Sequence, residues 1–229
     1  MKRFSAFAAT LLFAAPVLAA AVLAADDDVG EYTFTVLYDG DPVGHHRFVY
    51  AHEGDRIEIQ EATEIEVTFA TIPVYTFAHE ARQLWQNGRV QRIDATTDDN
   101  GEAFAITVED TGAGYVRTVN GRIDTFDDPM AVLAFWNPDT LKHDRFFSAV
   151  EDKTFDAEFE YLGTEEVTVG GEPVAAEHYR MVGDEEREVW YDPDGHVAKV
   201  AFERFGSDVE YVRDQLTADA PSSDCTAIC

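Results

Sequence analysis

Several residue types that build familiar active sites are scarce in this 229-residue chain. Cysteine occurs only at Cys225 and Cys229, so the body of the chain has no thiol for a disulfide core or a thiolate metal site. Lysine is confined to Lys2, Lys142, Lys153 and Lys199, and Lys+Arg total 17 against 45 Asp+Glu, a formal net charge of −28. Phosphate binding needs a basic footprint, so nucleic acid is not an expected partner. Beyond the N-terminal stretch serine remains at Ser148, Ser207, Ser222 and Ser223, none within a Gly-x-Ser-x-Gly elbow. The segment "TGAGYVR" has Gly112 and Gly114 but neither a third glycine nor a P-loop lysine, and it suits a loop or bulge better than a phosphate cradle. No cofactor is implied.

What is present begins with Lys2 and Arg3, an apolar run and a small-residue end, the layout of a secretory signal peptide over residues 1–25. Pro16 and the acidic Asp26, Asp27 and Asp28 argue against a retained membrane helix, and no lipid-attachment cysteine follows the run. The expectation is a soluble periplasmic or secreted protein with one domain over residues 26–216 and a polar tail over 217–229. Acidic residues are spread along the whole chain. They read as a solvated surface whose self-repulsion salt would screen.

Turn dipeptides recur at Asp39-Gly40, Asn87-Gly88, Asn100-Gly101, Asn120-Gly121, Gly170-Gly171 and Asp194-Gly195. Between them apolar and polar residues alternate. Tyr32, Phe34, Val36 and Tyr38 share one face, as do Ile65, Val67 and Phe69, then Phe104, Ile106 and Val108, and later Phe155, Ala157, Phe159 and Tyr161. One apolar and one wet face is the pattern of antiparallel sheet. The stretch "DDPMAVLAFWNPDTLKH" departs from it: capping aspartates Asp127 and Asp128, Pro129 and an apolar run predict a short helix to Trp136. There Asn137-Pro138 stops it or starts a second turn. The predicted fold is mainly β, a single antiparallel, strongly curved sheet or barrel-like meander of about ten strands with one short helical insertion.

A curved sheet must hide its apolar face by closing or by accepting a plug, and either solution makes a cavity. Val132, Phe135 and Trp136 fall on one stripe of the insertion, flanked by Phe126, Phe146 and Phe147. They serve as a core plug or as the lining for an apolar ligand. Under the second reading Trp85, Phe126, Val132, Phe135, Trp136 and Trp190 form the binding site. His45 and His46 are adjacent, so on a strand they face opposite ways and do not close on one metal ion, although each could act singly with His52 or His79. No metal ligand set is assigned. Carboxylate pairs such as Glu165-Glu166 are too common to single out a catalytic pair.

Three stretches carry a family resemblance: "VLYDGDPVGHHRFVY", "HEARQLWQNGRVQRIDATTDDNG" and "VWYDPDGHVAKVAFERFGSDVEYV", with similarity running from about residue 30 to 215. Together they resemble the exported bacterial domain-of-unknown-function family 6134, related in style to family 3108. The third stretch also looks like the late hairpin of curved-sheet periplasmic lipoprotein carriers. The resemblance implies the fold and an envelope location. It carries no assigned activity, and so transfers no functional residue. By analogy of architecture it suggests a carrier of a lipid or other apolar small molecule. The alternative is a carboxylate- or His-dependent periplasmic hydrolase or isomerase using the same pocket.

Cys225 and Cys229 lie beyond that similarity. In an oxidising compartment they are expected to join to each other; an intermolecular disulfide and metal or redox chemistry are the alternatives. So small a loop contributes about 2 kcal/mol, and to the tail rather than the core.

Overall fold

In the computed structural model, which describes residues 28–217, each of the six turn dipeptides joins two consecutive strands. The predicted signal peptide and the cysteine pair lie outside the described residues. At Asp39-Gly40, Asn87-Gly88, Asn100-Gly101 and Asn120-Gly121 both turn residues take positive φ, which Asn, Asp and Gly accept most readily. Two further turns place residues there that accept it poorly, Ala70 and Thr71 with φ of 48° and 72°, and Phe205 with φ of 56° ahead of Gly206.

The strands in chain order are β1 Asp28–Tyr38, β2 Asp41–Glu53, β3 Arg56–Phe69, β4 Ile72–Gln86, β5 Arg89–Asp99, β6 Glu102–Asp110, β7 Gly114–Val119 and β8 Arg122–Asp127. They continue as β9 Ala131–Val132, β10 Arg145–Phe147, β11 Thr154–Val169, β12 Glu172–Gly183, β13 Arg187–Tyr191, β14 Val197–Arg204 and β15 Ser207–Thr217. All belong to one sheet of 15 strands, in the order β8 to β1, then β15 to β9. The expected meander is therefore present as two runs joined where β1 pairs antiparallel with β15. Only β9 and β10 run parallel.

The sheet is barrel-like but not closed. Its edge strands, β8 and β9, are successive in the chain and do not pair with each other. Side chains bridge this seam instead. Buried Arg117 on β7 donates to the carbonyls of Ser148 at 3.2 Å and Lys153 at 2.7 Å, and it pairs with Asp124 and Asp152. Phe126 of β8 stacks on Phe147 of β10 with ring centroids 5.2 Å apart.

The predicted helix over the apolar part of the insertion is replaced by an extended strap. Met130, Val132 and Ala134 enter the main core, while Ala131, Leu133 and Phe135 pack on the cluster of Phe146, Phe155, Ala157 and Met181. A strand buried on both faces is apolar at every position, so its sequence resembles a buried helix. The helical element lies just beyond, a 3-10 turn at Pro138–Lys142 capped by the Asn137 side chain, which accepts from the Asp139 N–H. That is the second of the two positions the Asn137-Pro138 step allowed.

Candidate functional site

The strap does not fill the concave face of the sheet. Between them lies a cavity of about 930 Å³, within the range of small-molecule sites. It reaches the end of the sheet that carries the turns at 39–40, 70–71, 100–101 and 205–206, where Val74, Tyr75 and Phe205 line it. At its deep end stand Phe48 and the strap residues Val132 and Trp136. Trp136 meets Phe48 at 5.7 Å and Trp85 edge-on at 4.9 Å, and these contacts fix the floor.

The six residues expected to line a ligand site separate into two groups. Val132, Phe135 and Trp136 line the cavity. Trp85 stands behind Trp136 in the core and donates its indole N–H to Gln83, which does line the cavity. Phe126 serves the seam. Trp190 is on the opposite face from its neighbours Val189 and Tyr191, stacked on His178 at 4.2 Å, under Lys199 and bonded to Glu165.

The polar part of the lining comes from strand register. His46 on β2, Thr63 on β3, His79 on β4 and Thr97 on β5 are successive cross-strand partners and form one row across the cavity wall. His46 Nδ1 is 2.8 Å from the Thr63 hydroxyl, and His79 Nδ1 is 2.8 Å from the Thr97 hydroxyl. His45, next in the chain, is exposed on the outer face, as strand alternation requires. Toward the mouth the row is bordered by Ile65 and Phe77; on the deep side it meets Phe48, Glu61 and Ala81. Glu61 accepts from the Gln83 amide at 2.9 Å. Burial is the largest influence on His46 and lowers its pKa; the Glu61 carboxylate acts the other way and His79 reinforces the fall. His46 is thereby held neutral at neutral pH.

Two arginines also reach the cavity, each beside a carboxylate. Arg204 meets Asp99 at 2.6 Å, and Arg187 lies 3.4 Å from Glu185 while its guanidinium covers the Phe202 ring at 4.5 Å. Burial lowers the Arg187 pKa.

Away from the cavity, Asp192, Asp194 and His196 are close enough to share an ion. Their geometry is that of a tied turn. Asp192 Oδ1 accepts the backbone N–H of Asp194 at 3.0 Å and of His196 at 2.9 Å, while Oδ2 accepts from Arg213 at 2.7 Å. Both oxygens of the Asp192 carboxylate are thus engaged within the protein.

In the sequence His46 and His79 stand only as isolated candidates, and nothing marks Thr63 or Thr97. Their residue numbers differ by 17 and 18 within each bonded pair, so only the pairing register shows that they meet.

Among the described residues no helix is long and apolar enough to cross a membrane. The fold is similar to the crystal structure of a beta-barrel-like protein of domain of unknown function DUF1849 from Brucella abortus. The TM-score is 0.55 at 8% identity, over 84% of this chain and 98% of that one. Comparison with curated proteins finds no match. A family model matches residues 34–214, which takes in most of the sheet and every cavity-lining residue but Tyr32, and the chain accordingly belongs to the domain of unknown function family DUF6134.

Proposed function

We propose that this protein binds or carries an apolar small molecule, such as a lipid, within the sheet and strap cavity, and that it does so in the cell envelope. The observation that carries the binding reading is the cavity of about 930 Å³ walled by Phe34, Phe48, Ile65, Phe77 and Trp136. Burying that lining against a ligand would recover roughly 25 cal/mol for each Å² of apolar surface removed from water. The envelope location rests on the signal-like residues 1–25. Native mass spectrometry and organic extraction of protein purified from its own cells test the reading, with recovery of a stoichiometric apolar molecule expected. A clean ligand-free mass, together with failure to bind fatty acids, long-chain alcohols or an environment-sensitive dye, sinks it.

A second reading, a hydrolase or isomerase using the same cavity, draws on His46 and His79 facing the interior beside Glu61. It requires turnover of an extracted ligand that a His46→Phe variant abolishes. Binding without turnover would leave the carrier reading in place.

A further inference from the structure

A polar row crosses the cavity wall at mid-depth; the rim beyond it carries Asp99, Asn100, Glu102 and Arg204, and Glu61 stands in the next row below. Depth matters because a ligand group that stops at the rim and one that reaches mid-depth meet different partners. The His46-Thr63-His79-Thr97 row has Phe48, Glu61 and Trp136 on its deep side, and Ile65, Phe77 and Asp99 toward the rim. A bare hydrocarbon would leave Nε2 of each histidine without a partner in a dehydrated site, and a buried polar group left unbonded is costly.

The chemistry of the row narrows the partner. Each ring has Nδ1 taken by a threonine hydroxyl. Nε2 of each ring is not engaged by any described residue. A threonine hydroxyl can donate or accept, so either tautomer is accommodated and Nε2 can accept from a ligand O–H or donate to a ligand carbonyl. The rings are not placed to attract an anion. Glu61 lies in the adjoining row, and the two lining arginines already stand beside Asp99 and Glu185. An ammonium group would lose its hydration at mid-depth with no carboxylate in the row itself to receive it.

We infer that the ligand is an uncharged apolar molecule bearing an oxygen function, a hydroxyl or ketone, held at mid-depth by His46 and His79. This inference rests on the carrier reading and specifies its ligand class.

The test is a competition assay on the purified protein. An environment-sensitive dye is displaced by a chain-matched set: cetyl alcohol, a long-chain methyl ketone, hexadecane, palmitate and cetylamine. The alcohol and ketone are expected to bind about tenfold more tightly than hexadecane, the gain of one well-made hydrogen bond, and more tightly than either charged analogue. His46→Phe is expected to remove that advantage and leave hexadecane unaffected. Because His79 is deeply buried and its replacement could unfold the protein, the second measurement uses wild type. The ¹⁵N resonances of both histidine Nε2 atoms should move on adding the alcohol and stay in place on adding hexadecane.

Equal binding of alcohol and hexadecane, tighter binding of palmitate or cetylamine, or unmoved Nε2 resonances overturns the inference while the cavity remains a carrier. Failure of the dye and every probe to bind overturns the carrier reading and this inference with it.

Discussion

Arg213 donates to Asp192 at 2.7 Å with both side chains more than nine-tenths buried, so β15 is tied to the turn between β13 and β14 by an ion pair removed from water. Arg213 also donates to the Val197 carbonyl at 3.0 Å and lies opposite Phe34 where β15 meets β1. Removing one member strands the other. Asp192→Asn is expected to cost about 3–5 kcal/mol in urea unfolding, whereas Asp192→Asn with Arg213→Met, which keeps an acceptor for the Asp194 and His196 N–H groups and leaves no unpaired cation, should recover part of that loss. Equal losses in the single and double variants would contradict this account.

The same pair predicts an acid limb. Burial would raise the Asp192 pKa, but bonds from His196 and Arg213 outweigh it and hold the carboxyl well below its ordinary value. A folded pKa below the unfolded one means stability that is complete above about pH 4 and lost as pH falls from there. Thermal unfolding followed over that range should show the loss, and Asp192→Asn should flatten it.

His46 gives a dependence at higher pH. Its pKa is lowered mainly by burial, against the pull of Glu61 and with the help of His79. As pH falls below about 6.5 the unfolded chain takes up the proton first, so stability should fall until the folded imidazole also titrates, then level off in this contribution. Titration of the His46 ring resonance by NMR, beside melting curves of His46→Phe, measures it. A ring that titrates above 6.5 would refute the assignment.

Backbone geometry predicts two substitutions of opposite sign. A Cβ on Gly44 would lie 2.1 Å from the Glu64 carbonyl oxygen, in the pairing that brings His46 beside Thr63. Gly44→Ala should therefore destabilise by about 1–3 kcal/mol and weaken cavity binding. At the β3–β4 turn Ala70 and Thr71 both occupy positive φ, a strained choice for a β-branched residue. Replacing them with Asn-Gly should raise stability by about 1 kcal/mol in denaturant unfolding.

Arg117 tests how the seam is held. Arg117→Met leaves the Ser148 and Lys153 carbonyls without its donors but exposes no new buried acid, since Asp124 and Asp152 retain Arg122 and access to water. The expected cost is about 1–3 kcal/mol, with amide exchange rising first in β8 and β10. Uniform exchange across the sheet would argue against a local role.

Much of the fold was legible because its signals are local. Asn-Gly and Asp-Gly pairs favour the positive φ of tight turns, and Tyr32, Phe34 and Val36 alternate with polar neighbours because only one face of β1 is buried. The turn at Ala70-Thr71 carried no such signal, since its residues oppose the conformation they adopt. The strap at 130–136 resembles a helix in sequence for a different reason. Burial on both faces erases the alternation that separates strand from helix.

The sequence by itself determined an antiparallel β meander, its six glycine-bearing hairpins and the acidic surface. The cavity and its polar row were decided only in three dimensions. A one-residue slip in pairing would turn a histidine from the interior to the outside, as the contrast between His46 and His45 shows. Register is set by the packing of the whole sheet, and no local stretch of sequence encodes which residue of a distant strand will stand opposite His46 or His79.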